Sequence, residues 1–389
     1  MAMHLCYVSD ERFPSTHTDT QQMAMTMDAL GRLGVEVTLV APRLVTGPHR
    51  WDQVDALRRH YEVDGAFDVA LVETVDPERR ELVKALHPLA AMREVGRRRP
   101  DLVYTRNAQI ALVALAAGHR VAFESYRVID RRLPWLVRAV ARATRARRFL
   151  GVVCHSRVSA EAFVRSGVPA AKVTVVHNGV SPAQMEPRLM REAAREATGV
   201  AAGPVAVFAG HVRGKKGLES LAEVAARTPE VEHVWVGGDD AGSATWGQDC
   251  ARAAGADNVT VTGWLAASAV APYWYAAEGV LIPPASEPLR EHGNTVLPMK
   301  LFGYLAAGRA VVAPDLEDLR ELLEHGQNAW LFPAGEVDAA VEALRAVIAD
   351  HGLRTRLEEG ARETAEELTW DARAVKVRDF LHERLEAAR

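Results

Sequence analysis

Short runs that are apolar at every position alternate along this chain with longer stretches whose apolar residues recur at helical spacing. HLCYVS (4–9), VEVTLVAP (35–42), FDVALVE (67–73), DLVYT (101–105), VAFES (121–125), FLGVVCHS (149–156) and VTVVH (173–177) are the strands this pattern predicts in the first half. The stretches between them read as helices, the first over residues 20–34 and closed by Gly34. Strands without polar alternation, separated by helices, are buried on both faces, so the pattern predicts a parallel sheet in an α/β fold. No internal repeat of roughly 20–50 residues is evident, which argues against a solenoid.

The alternation lapses over residues 183–203, AQMEPRLMREAAREATGVAAG, a polar stretch rich in Ala, Gly and Arg. It then restarts. Strands are predicted at 204–210, 231–238, 258–263, 279–284, 309–314 and 329–335, and helices at 217–227, 244–254, 268–276 and 299–307. The tail reads as three helices, 336–349, 352–366 and 371–387. Two open α/β halves are therefore expected, residues 1–182 and 183–365, with a deep cleft between them as the default ligand site and a terminal helix over 366–389. A two-domain dinucleotide-binding enzyme finds no support, because ERFPSTHTDTQQ, and not GxGxxG, follows the first strand.

Length and composition sharpen this picture in few places. The 389 residues exceed what one hydrophobic core serves. A net charge of −4 gives no global reason to expect nucleic acid as a partner. No apolar run approaches the ~20 residues of a membrane span, and MAMHLCYVSD enters a strand without the features of a signal peptide. Cys6, Cys154 and Cys250 are few, odd in number and without metal spacing, so reduced thiols in a cytoplasmic protein are expected, two of them buried in strands. Basic residues are mostly arginine, which makes the six lysines conspicuous.

Two segments carry lysines where an anion would bind. In AGHVRGKKGLESL (209–221) a strand ends at Gly210, and His211, Arg213, Lys215 and Lys216 occupy a short loop before Gly217 opens a helix. Free amides at a helix start with a lysine beside them form an anion site, although a solvated basic loop would look the same. In PMKLFGYLAAGRAVVAP (298–314), Lys300 falls in the first turn of a helix, where a cation opposes the helix dipole unless an anion is present. Lys300 with the amides of Met299 and Leu301 is predicted to hold a diphosphate; the alternative is a lysine snorkelling to solvent. Just upstream, Glu291 and His292 of EHGN are candidate polar contacts at the same site.

The second half of the chain resembles the GT-B glycosyltransferases of the large retaining family 4. GHVRGKKG is similar to that family's phosphate loop, and PMKLFGYLAAGRAVVA to its KLFEYMAAGKPVVA segment, which marks one subgroup. DNVTVTGWL (257–265), APYWYAAEGVLIPPASE (271–287) and TWDA (369–372) follow in family order. RFPS (12–15), the strand leading to Glu124, the VVCHS strand and VVHNGV (175–180) extend the resemblance over nearly the whole chain. It implies two Rossmann-like domains, a nucleoside-diphosphate sugar in the second, an acceptor entering from the first, transfer with retention, and no cofactor or required metal.

By position, the resemblance implies that Lys216 stabilises the leaving diphosphate, with His211, Arg213 and Lys300 assisting. Gly263, Trp264 and Leu265 would flank the base, and Thr295 falls where many relatives contact the donor sugar through a glutamate. Tyr126 stands where relatives place a histidine beside the sugar. Ser15, Thr16, His17 and Asp19 replace a glycine-rich loop and suggest hydrogen bonds to a polar acceptor; the alternative is that Thr18 or Asp19 caps the first helix. Gly303 replaces a glutamate expected to bind ribose, so either another residue binds the ribose, or affinity is low, or room is needed for a different group.

A basic amphipathic stretch, RRLPWLVRAVARATRARRFL (131–150), suits either a solvated outer helix or a peripheral membrane contact, with no stable insertion. The function expected is sugar transfer to a hydroxylated acceptor, by a monomer or homodimer that binds no nucleic acid. The rivals are a nucleotide-sugar 2-epimerase and a catalytically degenerate sugar-binding protein of the same fold.

Overall fold

A computed structural model describes residues 2–15, 17–43, 50–73, 80–125, 134–200, 202–238, 241–284 and 297–389. The chain forms two compact units, one of Met1–Gly179 with Trp370–Arg389, the other of Val180–Thr369.

Among the described residues of the first unit the apolar runs form seven strands: β1 (His4–Val8), β2 (Glu36–Pro42), β3 (Asp68–Val72), β4 (Leu102–Thr105), β5 (Val121–Ser125), β6 (Phe149–Cys154) and β7 (Val173–Val175). They pair in parallel in the order β3-β2-β1-β4-β5-β6-β7. Helices α1 (Thr18–Arg32), α2 (Arg50–Tyr61), α3 (Arg80–Arg98), α4 (Ala108–Ala116), α5 (Pro134–Ala143) and α6 (Arg157–Arg165) alternate with them. Burial on both faces explains why these strands carry no polar alternation; Cys6 and Cys154 lie inside the core. α1 starts at Thr18, with His17 at its N-cap and no side-chain cap. Asp19 falls inside the first turn, where its carboxylate accepts from the amide of Thr20 at 2.9 Å. Neither Thr18 nor Asp19 is the cap expected from sequence.

The second unit repeats the plan with β8 (Val205–Ala209), β9 (Glu232–Val236), β10 (Val259–Val261), β11 (Gly279–Leu281), β12 (Ala310–Pro314) and β13 (Ala329–Phe332), all parallel, in the order β10-β9-β8-β11-β12-β13. Its helices are α7 (Arg191–Thr198), α8 (Leu218–Arg227), α9 (Ala241–Ala253), α10 (Ala267–Ala276), α11 (Met299–Ala307), α12 (Val337–Ala349) and α13 (His351–Ala365). β11 stops at Leu281, short of the expected residue 284, where Pro283 and Pro284 have no N–H to donate.

The units divide after Gly179 and Thr369, not after 182 and 365. The polar stretch 183–203 is no linker: Arg195 of α7 binds Glu278 at 2.7 Å and the carbonyl of Ala276, which anchors it within the second unit. The two chain crossings lie side by side, since the Val180 amide donates to the Leu368 carbonyl at 2.9 Å.

The last helix, α14 (Trp370–Ala387), packs on α1 in the first unit. Its Arg373 enters a buried ionic cluster at the carboxyl ends of the parallel strands. Glu124 of β5 accepts from Tyr7 of β1 at 2.7 Å, from Arg106 after β4 at 3.0 Å, and from Arg373; His155 after β6 lies 2.6 Å from it. Burial alone would raise the Glu124 carboxyl, but Arg106, Arg373 and the bond from His155 hold it well below the usual carboxylate range. Two guanidiniums already neutralise this carboxylate, so a third cation is unwelcome. Burial, then the charge of Arg373, outweighs the attraction of Glu124 and pushes His155 down to about 3.

Buried His233 of β9 is likewise pushed down by burial, to about 4. Both histidines therefore stay neutral in the folded chain while the unfolded chain binds protons below its ordinary histidine value, about 6.5. Stability is full above that value and falls as pH drops, by up to about 2 kcal/mol per histidine between pH 6.5 and 5. Denaturant unfolding at a series of pH values should show this slope, and His155→Gln should flatten it; an unchanged slope would refute the assignment to His155.

Candidate active site

Both sheets reverse strand order beside their first strand, between β1 and β4 and between β8 and β11. Crevices at the carboxyl ends of such switch points are where open α/β sheets bind ligands. In the second unit the two lysine segments meet there. The basic loop follows β8, and α11 follows β11 through residues 285–296, which lie outside the described set.

Glycine controls the floor of this crevice. Gly210, Gly237, Gly238 and Gly263 end β8, β9 and β10 with φ of +142°, +130°, +133° and +78°. A Cβ on Gly237 would lie 2.1 Å from the Gly210 carbonyl oxygen, so the two strand ends cross at a distance only glycine allows. A Cβ on Gly210 would lie 2.9 Å from Nζ of Lys300. In the loop itself Lys215 and Gly217 are left-handed, at φ +63° and +77°, while Lys216 between them is not. Alternating φ of this kind turns successive N–H groups to one side and forms an anion-binding concavity.

α8 opens from Gly217 and α11 from Pro298, and neither has a side-chain cap. Lys300 sits in the first turn of α11 with its ammonium 3.8 Å from the centre of the Phe208 ring of β8. Tyr304, one turn on, ties α11 to the sheet: its hydroxyl accepts from the Ala209 amide at 2.8 Å and donates to the Leu281 carbonyl at 3.2 Å. Part of the Lys300 side chain touches solvent, yet its ammonium is crowded by protein atoms. Burial, and then the charge of nearby Lys216, push it down to about 7. Among the described residues, no carboxylate pairs with Lys300. Two cations thus converge at two electropositive helix ends, an arrangement that an anion would stabilise.

The other residues singled out from sequence distribute as follows. His211 and Lys216 are half-buried, and Arg213 is exposed on the same loop. The amide of Leu301 is already committed to the Pro298 carbonyl at 2.9 Å, which corrects its expected part in holding a diphosphate and leaves the amides of Met299 and Lys300. Gly263, Trp264 and Leu265 follow β10 beside Gly237, with Trp264 51% exposed. Tyr126, Glu291, His292, Thr295 and Thr16 lie outside the described residues.

In the first unit Ser15 is engaged internally. Its hydroxyl lies 3.0 Å from that of Thr20 and accepts from the His17 amide, and its own amide donates to Tyr61. His17 is exposed and Asp19 half-buried. Sequence reasoning passed over Arg106, His155 and Arg373. Only Glu124 stood out, and nothing in the linear pattern joins it to a residue 249 positions away.

Residues 20–179 match the model of a glycosyl transferase 4-like domain, and residues 203–350 that of glycosyl transferases group 1. Each half of the chain thus matches a glycosyltransferase domain. Curated relatives include the sulfoquinovosyl transferase SQD2 of Arabidopsis thaliana, 22% identical over 74% of this chain and 57% of the relative. Another is a D-inositol 3-phosphate glycosyltransferase of Xylanimonas cellulosilytica, 29% identical over 59% of this chain and 55% of the relative. The chain spans about half the length of the curated relatives it matches. Among solved structures, sucrose-phosphate synthase from Thermosynechococcus elongatus superposes with a TM-score of 0.77 at 16% identity over the whole of both chains. Anabaena Alr3699/HepE in complex with UDP and glucose gives 0.72 at 18% identity over 98% of this chain and 99% of that one. The fold of this chain is GT-B, with two Rossmann-like parallel-sheet domains. Among the described residues, no helix is long and apolar enough to cross a membrane.

Gly303, expected from sequence to stand in place of a glutamate, has a packing reason in the structure. A Cβ at this buried position would lie 2.3–3.0 Å from the six-membered ring of Trp274 of α10, which stacks edge-on to Tyr304 with centroids 5.9 Å apart. The room left by Gly303 is filled by an indole.

Two outcomes follow from this geometry. Gly303→Ala should destabilise the protein by about 1–3 kcal/mol through overpacking, against the gain of up to ~1 kcal/mol that alanine brings to an exposed helix. Trp274→Leu in the same chain should recover most of the loss; denaturant unfolding measures both, and a stabilised single variant would show that the indole yields. Because burial and Lys216 push Lys300 down to about 7, binding of inorganic pyrophosphate at pH 8 should take up close to one proton, and uptake should vanish well below pH 7. Calorimetry in buffers of different ionisation enthalpy reads this directly, and Lys300→Met should abolish it.

Proposed function

We propose that this protein is a retaining glycosyltransferase that moves a sugar from a nucleoside-diphosphate sugar to a hydroxylated acceptor. The observation that carries the reading is the convergence of Lys216 on Lys300 at the uncapped starts of α8 and α11. A diphosphate bound there receives two ammonium groups and the free amides of both helices. These interactions strengthen as negative charge builds on the departing phosphate, which is the condition for lowering the barrier.

In the proposed step the bond from the anomeric carbon to the diphosphate oxygen breaks. The acceptor oxygen bonds to the same face of that carbon, and the acceptor's proton passes to the departing phosphate oxygen. Lys216 and Lys300 neutralise the product diphosphate, and His211 and Arg213, on the same loop, assist. Gly263, Trp264 and Leu265 flank the base. His17 and Asp19 are proposed acceptor contacts, and the likeness of the segment around Lys300 to a KLFEY-like motif supports membership of that subgroup. With the leaving charge met by ammonium groups, we propose that turnover requires no metal. The UDP and UDP-glucose bound by the Anabaena neighbour support a nucleoside diphosphate as the donor's leaving group.

Lys216→Ala should lower turnover by about 10²–10³-fold with little change in thermal melting, since the residue lies half-buried on a loop. Turnover near that of the wild type would remove the mechanism. Incubation with UDP-, GDP- and dTDP-sugars separates the rivals: a transferase yields free nucleotide and a new glycoside, a 2-epimerase yields an isomerised donor, and a binding protein yields neither.

A further inference from the structure

The basic stretch 131–150 takes no part in the site just described. Its ordered helix α5 turns Val140, Ala141 and the following Thr144 inward onto the core of the first unit. The opposite face carries Trp135, Arg138 and Arg142, spaced as one helical stripe, and Arg145 extends it past the helix end. Trp135 is 64% exposed, and Arg138, Arg142, Arg145, Arg147 and Arg148 are all exposed. Among the described residues, no carboxylate pairs with any of these five arginines. Acidic side chains are scarce here: between Leu102 and Ala160 the sequence has only Glu124, which is buried against Arg106 and Arg373, and Asp130.

Of the carboxylates that the two neighbouring helices carry in sequence, Glu81 and Glu94 of α3, Glu94 is taken by Arg97 and Arg98. α5 packs against α4, and α4 against α3. No residue of α4 is charged. α3 exposes Leu82, Leu86 and Leu89 at spacings of four and three, with Leu89 61% exposed. An indole and aliphatic side chains held in water cost free energy that no internal contact offsets. An indole level with guanidiniums matches the boundary between headgroups and acyl chains, where aromatic rings anchor and arginines meet phosphates.

We propose that this face of the first unit, α3 to α5, docks on an anionic lipid surface, with Trp135 and the leucines at the acyl boundary and the arginines on headgroup phosphates. A nucleic acid would satisfy the arginines but leave the leucine stripe in water, and an acidic protein is the remaining occupant; both are outcomes of the test. The inference does not depend on the proposed sugar transfer.

Sedimentation of the full chain with large vesicles tests it, using phosphatidylcholine alone or with phosphatidylglycerol, across a salt series. Binding is expected on the anionic vesicles, weakening as salt rises. Replacement of Arg138, Arg142 and Arg145 by Gln should reduce affinity about fivefold for each arginine, and Trp135→Ala several-fold. Brominated acyl chains should quench tryptophan emission in the wild type and much less in Trp135→Ala. The melting temperature of each variant checks that the fold is intact. Equal binding to neutral and anionic vesicles, no binding to either, undiminished binding of the triple variant, or displacement from vesicles by a short oligonucleotide at equal charge would each overturn the proposal.

Discussion

Two ammonium groups are held near enough for Lys216 to depress the proton affinity of Lys300, at helix starts that are themselves electropositive. Every local feature of the second unit's crevice serves this unfavourable arrangement. Gly210 leaves space for the Lys300 ammonium, and the Phe208 ring gives it a face to lie on. Tyr304 bolts the helix to two strands so that the lysine cannot swing away. Left to itself such a cluster costs stability. A bound dianion would reverse the sign of each term, which is the basis of the proposed phosphate site.

The first unit shows the opposite solution at the same place in its sheet. There the carboxyl ends of β1, β4, β5 and β6 converge on a buried carboxylate, Glu124, already met by two arginines. The charge is satisfied within the unit, and one of the partners is delivered by the last helix. A buried pair of this kind contributes little net stability while intact, yet loss of one partner strands a charge and costs several kcal/mol. The terminal helix is thus a structural part of the first unit.

Gly303 illustrates how packing gives a glycine its place inside a helix. The missing side chain does not leave a hole; Trp274 reaches across from α10 and occupies it. A carboxylate at that position would meet an aromatic ring.

The sequence alone determined the layered α/β architecture, because strands buried on both faces must be apolar throughout and helices over them must be periodic. It also determined where cations stand relative to helix starts. Lys216 and Lys300 were legible because dipole chemistry depends only on positions along one helix and its preceding loop. Tertiary structure alone decided what depends on distant partners. That Leu301's amide is spent on Pro298, that Gly303 faces an indole, and that Arg373 completes a cluster around Glu124 are facts of side chains meeting across many residues. The division at Gly179 was hidden for the same reason: residues 183–203 look like a linker in composition, and it is tertiary contacts, among them the bonds of Arg195 to Glu278 and Ala276, that hold them to the second unit. Local periodicity and dipoles are written in the chain order, whereas burial and pairing are properties of the packed solid.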